Sequence, residues 1–319
     1  METSVISSSI ARSVFDGALT LAENTPVGDV PLATFVSGLE HQRARPGAAQ
    51  SAWSTGEQLP LESLGVLGDA ISRAPTLGSA LRCFVHGIPL VQSNTALSMD
   101  VSEDRVRVGY RILDPEIWPR RADAELTLAM IHTVCMRYGM DRHALLDVGF
   151  EHGADDGTHS ISRYNRTDTV CDESENYLVF PAQCLSLPRP DGDTPAVAVA
   201  RGMTPDKQLA SHLRHLPVSR RVRQKILQRI GQGSIGQMDI ACELGMSERT
   251  LRRTLATEET CYHDIRDEVR RSMALALLKR SGLSLSDVAF SLGYSDQTAF
   301  SRAFSRWYGE PPSRHDFAE

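Results

Sequence analysis

Two short stretches place charged and amide side chains at helical spacing. They are Arg249, Thr250, Arg252 and Arg253 in SERTLRRTLATEE (247–259), and Gln297, Thr298, Ser301, Arg302 and Arg306 in SDQTAFSRAFSRWY (295–308). Guanidinium and carboxamide groups present two hydrogen-bonding atoms in one plane, so their chemistry is bidentate recognition of base edges and phosphates, not bond cleavage. Residue patterns for covalent chemistry are missing. No G-x-S-x-G, G-x-x-x-x-G-K or G-x-G-x-x-G occurs, which leaves nucleophile-elbow hydrolysis, nucleotide hydrolysis and dinucleotide binding without an anchor. His152, Asp155, Asp156 and His159 crowd into EHGADDGTH (151–159), which reads as a solvated polar loop rather than a metal site. His86, His132 and His143 read as structural histidines. The expectation is a protein that is not an enzyme and holds no cofactor or metal.

The elements that carry the two polar stripes are legible. Ser284 stands three residues before Asp287, the spacing of a capping box, and starts a short helix. Leu285, Val288, Ala289 and Leu292 then recur at i, i+3, i+4, i+7, and Gly293 can take the left-handed conformation that ends a helix. Ser295 is the expected cap of a second helix, with Phe300, Phe304 and Trp307 on its inner face and Gly309 and Pro311–Pro312 as its stop. Two short helices joined at a glycine form a helix-turn-helix, whose second helix enters the DNA major groove. The stretch QMDIACELGMSERTLRRTLATEE (237–259) repeats the layout: Ile240, Ala241 and Leu244 inward, Gly245 at the break, Ser247 as cap, Leu251 and Leu255 inward. Between the copies, YHDIRDEVRRSMALALLKR (262–280) predicts one continuous helix with Ile265, Val269, Met273, Leu277 and Leu278 as its buried stripe. Its length, roughly 28 Å at 1.5 Å per residue, is close to the ~34 Å between successive major-groove faces of a duplex.

The whole chain sets the frame. At 319 residues, with 41% hydrophobic and 23% charged residues, it predicts an ordinary globular protein of two domains. No run of ~18 apolar residues and no secretory signal is visible. Six scattered cysteines (83, 135, 171, 184, 242, 261) with no C-x-x-C pair fit reduced thiols, and the expected location is the cytoplasm, away from any membrane. From Arg214 onward there are 17 Lys+Arg against 13 Asp+Glu, a balance of +4; the rest holds 17 against 27, or −10. A basic third on an acidic body suggests a polyanion partner. LPRPDGDTPAVAVARGMTP (187–205), with four prolines, is the expected boundary. Before it lie two helices broken around Pro75, two strands in TALSMDVSEDRVRVGYRIL turning at Glu103–Asp104, a strong helix over 122–139 ended by Gly139, and strands in ALLDVGFEH and NYLVFP, which together predict an α+β domain. After it every signal is helical. VSRRVRQKILQRIGQG (218–233) sets Val222, Ile226, Leu227 and Ile230 on one face, with Gly231 and Gly233 as its stop. Phe35, Trp53, Phe84, Trp118 and Tyr138 are candidates to line an apolar ligand pocket in the acidic domain, although most of them read as ordinary core.

Residues 218 to 315 resemble the DNA-binding domain of the AraC/XylS family of bacterial transcription regulators, on the motifs LGMSERTLRR, DVAFSLGYSDQTAFSRAFSRWYG and the P-P-S-R-H tail. LGDAISRAPTLGSALRCF, RVRVGYRI and GFEH…Y…ENYLVFPAQCL resemble the "arabinose-binding" effector domain of some members. The resemblance implies a sensing or dimerising domain (1–187), a linker (188–217) and a double helix-turn-helix domain (218–319). It implies base reading by Arg249, Arg252 and Arg253 in the first unit and by Gln297, Thr298 and Arg302 in the second, with Asp296 beside them and Arg306 nearer the phosphates. The implied partners are double-stranded DNA, RNA polymerase, a small-molecule effector and a second copy of the chain, with activation the family's habit. A regulator without a small molecule, controlled by a protein partner or by abundance, or an enzyme borrowing a DNA-binding tail, are the other readings; the six cysteines lack the context of a repair methyltransferase. The chain departs from the family pattern at Glu259, where glycine is common and where a left-handed glutamate would cost roughly 1 kcal/mol, so a different helix end is expected. It also departs at Gln237, usually apolar, in the uncapped GQGSIGQ, and at Asp316, commonly basic.

Overall fold

The computed structural model describes residues 4–15, 29–44, 52–114, 116–190, 205–230, 233–279 and 283–315, and the chain divides into two compact units, Met1–His215 and Leu216–Glu319. The first unit is α+β. Its sheet runs in the order β3-β4-β7-β5-β6, built from β3 (Thr95–Val101), β4 (Arg105–Ile112), β5 (Asp147–Gly149), β6 (Thr169–Val170) and β7 (Asn176–Pro181). Every pairing is antiparallel except β5 with β6. The β3–β4 hairpin turns at the expected place, with Ser102 N donating to the Arg105 carbonyl at 2.9 Å. Pro75 separates α4 (Val66–Arg73) from α5 (Leu77–Gly87), and Thr76 and Ser79 form a reciprocal capping box that starts α5. The long helix α6 (Arg121–Arg137) is followed by Gly139 at φ 90°.

The N-terminal edge carries elements that periodicity did not suggest. A two-stranded sheet pairs β1 (Val5–Ser7) with β2 (Asp29–Pro31), and α1 (Ser8–Phe15), α2 (Leu32–Arg43) and α3 (Ala52–Gln58) contribute Phe15, Phe35 and Trp53 to the core. Helix α6 packs against α2, α3, α5, β4 and β7, which explains why it is buried almost all round. Its polar residues are buried too. Tyr110 Oη donates to Asp123 at 2.5 Å and accepts from Gln92 at 3.0 Å, and burial pushes the Asp123 carboxyl up to about 7.

One expectation for this unit is corrected. The stretch EHGADDGTH is not simply a solvated loop: Asp155 caps α7 (Asp156–Asn165) and pairs with Arg121 at 2.9 Å and with Arg43, while His152 is buried and accepts from Arg121 at 2.9 Å. Of the five aromatics most are core, as the ordinary-core reading has it. Phe35, Trp53 and Phe84 are core; the Tyr138 hydroxyl donates to the carbonyls of Ile71 and Ala74; Trp118 is largely exposed. Within the proline-rich boundary, residues 191–204 lie outside the described residues, and α8 (Pro205–Arg214) follows, with Leu209 buried against the first unit's core beside Gly87.

The second unit is all helical: α9 (Val218–Arg229), α10 (Gln237–Glu243), α11 (Glu248–Thr257), α12 (Tyr262–Lys279), α13 (Leu285–Ser291) and α14 (Gln297–Tyr308). One continuous core joins Val222 and Ile226 of α9, Ile240, Leu251 and Leu255, Ile265 and Val269 of α12, and Val288, Ala289, Phe300 and Phe304. Met273, Leu277 and Leu278 pack against it half-buried. Helix α9 stops at Arg229, earlier than the expected glycines, because Ile230 turns to extended backbone and buries its side chain. Among the described residues no helix is long and apolar enough to cross a membrane.

Candidate nucleic-acid interface

Helices α10 and α11 form one helix-turn-helix and α13 and α14 the other. Gly245 (φ 68°) and Gly293 (φ 71°) sit at the two turns in the left-handed region, where a side chain would be strained. The Gly245 amide donates to the Cys242 carbonyl and the Gly293 amide to the Phe290 carbonyl, both at 2.9 Å. In each unit the second helix keeps its apolar side in the core through Leu251 and Leu255, or through Phe300 and Phe304, and these four residues are fully buried.

The helix starts differ from expectation in one place. Ser247 caps α11 by accepting from Thr250 N, as expected. In the second unit Asp296, not Ser295, is the cap: its carboxylate accepts from Ala299 N at 2.8 Å, and Ser295 Oγ donates to it at 3.0 Å. Those bonds hold the Asp296 carboxyl below its ordinary range. The second turn is therefore one residue longer than the first. With caps aligned, Glu248 corresponds to Gln297, Arg249 to Thr298, Arg252 to Ser301 and Arg253 to Arg302.

Arg249, Arg252, Arg253, Gln297, Thr298, Arg302 and Arg306 are exposed, while Thr250 and Ser301 are half-buried. Thr250 also has its hydroxyl bonded to Ser247. Arg252 donates to Glu248 one turn back at 2.5 Å, and Arg306 pairs with Asp267 of α12 at 2.9 Å. Among the described residues Arg249, Arg253 and Arg302 hold no ion pair. Ser286 of α13 donates to Gln297 Oε1 at 3.1 Å, which orients the amide. The arrangement offers two capped helices whose outer faces present donors able to bond base edges and phosphates.

The first unit departs locally. Helix α11 ends with Glu259 at φ 55° rather than in the different manner expected. The Thr260 amide donates to the Leu255 carbonyl at 3.1 Å and the Glu259 amide to Ala256 at 3.2 Å, the paired bonds of a Schellman end made with glutamate in the position that favours glycine. Its neighbour Glu258 accepts from the amides of Val218 at 2.7 Å and Ser219 at 2.8 Å, and so caps α9. Helix α10 starts at Gly236 with no side-chain cap, and the Gln237 amide nitrogen is buried without a hydrogen-bond partner among the described residues. Asp316 lies outside the described residues.

Sequence reasoning missed the residues that hold the readers in place. Glu258 carried a signal, since an acid in the last turn opposes the helix dipole and implies another employment. Arg270 of α12 is buried, donating from Nε to the Leu292 carbonyl at 2.9 Å and from Nη2 to the Gly293 carbonyl at 2.6 Å. In the sequence it stands among Arg266, Asp267 and Arg271, which gave it the look of a solvated position.

Comparison with known proteins completes the picture. Residues 25–189 match the model of the arabinose-binding domain of AraC transcription regulators, and residues 240–316 match a helix-turn-helix domain. An uncharacterized HTH-type transcriptional regulator of Mycobacterium tuberculosis is 32% identical over 46% of this chain and 42% of its own length. The ornithine utilization regulator of Pseudomonas aeruginosa is 27% identical over 95% of this chain and 89% of its own. The crystal structure of the transcriptional regulator CdpR from Pseudomonas aeruginosa aligns with a TM-score of 0.45 at 22% identity, covering 95% of this chain and 96% of that one. With an arabinose-binding-type domain over half its length and a helix-turn-helix domain after it, the chain belongs to the AraC family of transcription regulators.

Proposed function

We propose that this chain is a cytoplasmic, sequence-specific regulator that lays α11 and α14 into successive major-groove segments of double-stranded DNA. Arg249, Arg252, Arg253, Gln297, Thr298 and Arg302 read bases. Thr250, Ser301 and Arg306 serve the sugar–phosphate backbone, and Asp296 shapes the start of α14 instead of bonding a base. The observation that carries the reading is the pair of capped helices with buried inner faces and exposed Arg and Gln faces, joined by α12, whose 18 residues span roughly 27 Å. The chain acts as an activator that contacts RNA polymerase, and its first unit senses a small-molecule effector and pairs with a second copy. An effector works only through a difference in affinity between two states, so it must bind the DNA-competent state more tightly or less tightly than the other.

In vitro selection of duplex sequences with the full chain tests the DNA reading: enrichment of two half-sites about one helical turn apart is expected. Enrichment of no sequence refutes it. A thermal-shift screen of the full chain against metabolites and lipids tests the sensing role, and a chain that shifts with none of them favours control by a protein partner or by abundance.

A further inference from the structure

The two reading units meet at one buried junction. Ile235, in the segment leading into α10, packs on the turn of the other unit: a Cβ added at Gly293 would lie 3.4 Å from Ile235 Cδ1 and 3.5 Å from Arg270 Nη2. The Ile235 carbonyl accepts from Tyr262 Oη at 2.6 Å, at the start of α12. Two turns along that helix, the Arg270 fork holds the carbonyls of Leu292 and Gly293, and its guanidinium lies 4.2 Å from the Tyr294 ring centroid. Tyr294 continues the chain of contacts into α14, with ring centroids 5.8 Å from Phe300 and 6.5 Å from Trp307. Ile235, Tyr262 and Arg270 are all buried. The entry to the first unit, the connecting helix and the turn of the second unit are thus fastened at one point, through two charge-assisted bonds, a buried hydroxyl bond and an apolar wedge.

We infer that Arg270 and Ile235 are positioning residues that set the spacing at which the two helices read DNA, so that the protein accepts half-sites at one separation and rejects the same half-sites moved apart. This rests on the DNA reading proposed above. One inserted base pair shifts a half-site by about 3.4 Å and turns it by about 34–36°. A rigid junction cannot follow that shift and forfeits one half-site's contacts, whereas a loosened junction can follow it. Arg270 touches no reading face, so its effect appears in tolerance of spacing and not in base preference.

The test uses the full chain. The sequence enriched by the wild type is synthesised with no insertion and with one or two base pairs added or removed between the half-sites. Affinities are then measured for wild type, Arg270→Gln, Arg270→Lys and Ile235→Ala, with thermal melts to establish that each variant is folded. The wild type should lose at least about tenfold on a one-base-pair insertion. In Arg270→Gln and Ile235→Ala that penalty should fall to roughly threefold or less, with the base preference at each half-site unchanged, and Arg270→Lys should fall between. If folded variants lose affinity equally at every spacing and keep the wild-type penalty, the junction does not set the spacing. If the wild type enriches no sequence, the DNA reading fails and takes this inference with it. The two failures are read at different steps.

Discussion

The two helix-turn-helix units have the same plan but are held by different means. The helix ends of the second are written locally. Ser284 and Asp287 make a reciprocal capping box, Asp296 caps the reading helix, and Gly309 at φ 80° ends it. The first has no side-chain cap on α10, a glutamate at the left-handed end of α11, and a buried amide without a partner at Gln237. Its order comes from farther away, through Glu258 on the amides of α9 and Ile235 on Tyr262 and Gly293. A motif of about twenty residues can therefore be kept by its own caps or by its neighbours. Where neighbours supply the constraint, the local sequence is free to lose it.

The largest effect that sharpens this contrast is in the core. Phe304→Ala should lower the stability of the helical domain (216–319) by roughly 3–5 kcal/mol and Leu255→Ala, at the matching position, by roughly 2–5 kcal/mol. In denaturant melts both should shift one shared transition, because Leu255 and Phe304 belong to a single core. Two separate transitions would break the picture of one body. Next come the matched readers, Arg253→Ala and Arg302→Ala. Each should cost on the order of 1–3 kcal/mol at its own base and relax preference there, as measured on single-base variants of the selected site. A loss equal on all sequences would make that arginine a phosphate contact. Glu258→Ala should destabilise the helical domain (216–319) by roughly 0.5–2 kcal/mol through loss of the α9 cap, and a variant as stable as wild type would show the cap to be idle. Smallest are two exchanges at the helix ends, of opposite sign. Glu259→Gly should stabilise by about 1 kcal/mol and Gly309→Ala should destabilise by about the same. Equal signs would mean that the two ends are not equivalent.

How much could be read in advance follows the same division. Gly245 and Gly293 at positive φ, the Ser284–Asp287 box, and the inward Leu251, Leu255, Phe300 and Phe304 were all legible, because each depends on neighbours three or four residues away. The cap of α14 was misplaced by one residue because Ser295 and Asp296 are both competent caps and only the backbone geometry chooses between them. Arg270 bonds carbonyls 22 and 23 residues along, and Glu258 bonds amides 40 and 39 residues back, so no local pattern announces the partners of either. In the α+β domain the β3–β4 hairpin and α6 stood out. The strands β1 and β2 were missed because three residues each are too few for alternation to show. The polar stretch around Asp155 looked solvated because its partners, Arg43 and Arg121, come from distant helices.

The carboxylate of Glu258 ties together two places that proton exchange with solvent can follow one by one. The amides of Val218 and Ser219 open the second unit, immediately after its dividing line, and both are shielded by the last turn of a reading helix. These amides take up deuterium when their bonds to Glu258 open, so their exchange rates report on how firmly the end of α11 is held to the start of α9. Binding of a duplex along α11 should slow them in step with that helix, though neither residue lies on the exposed Arg face.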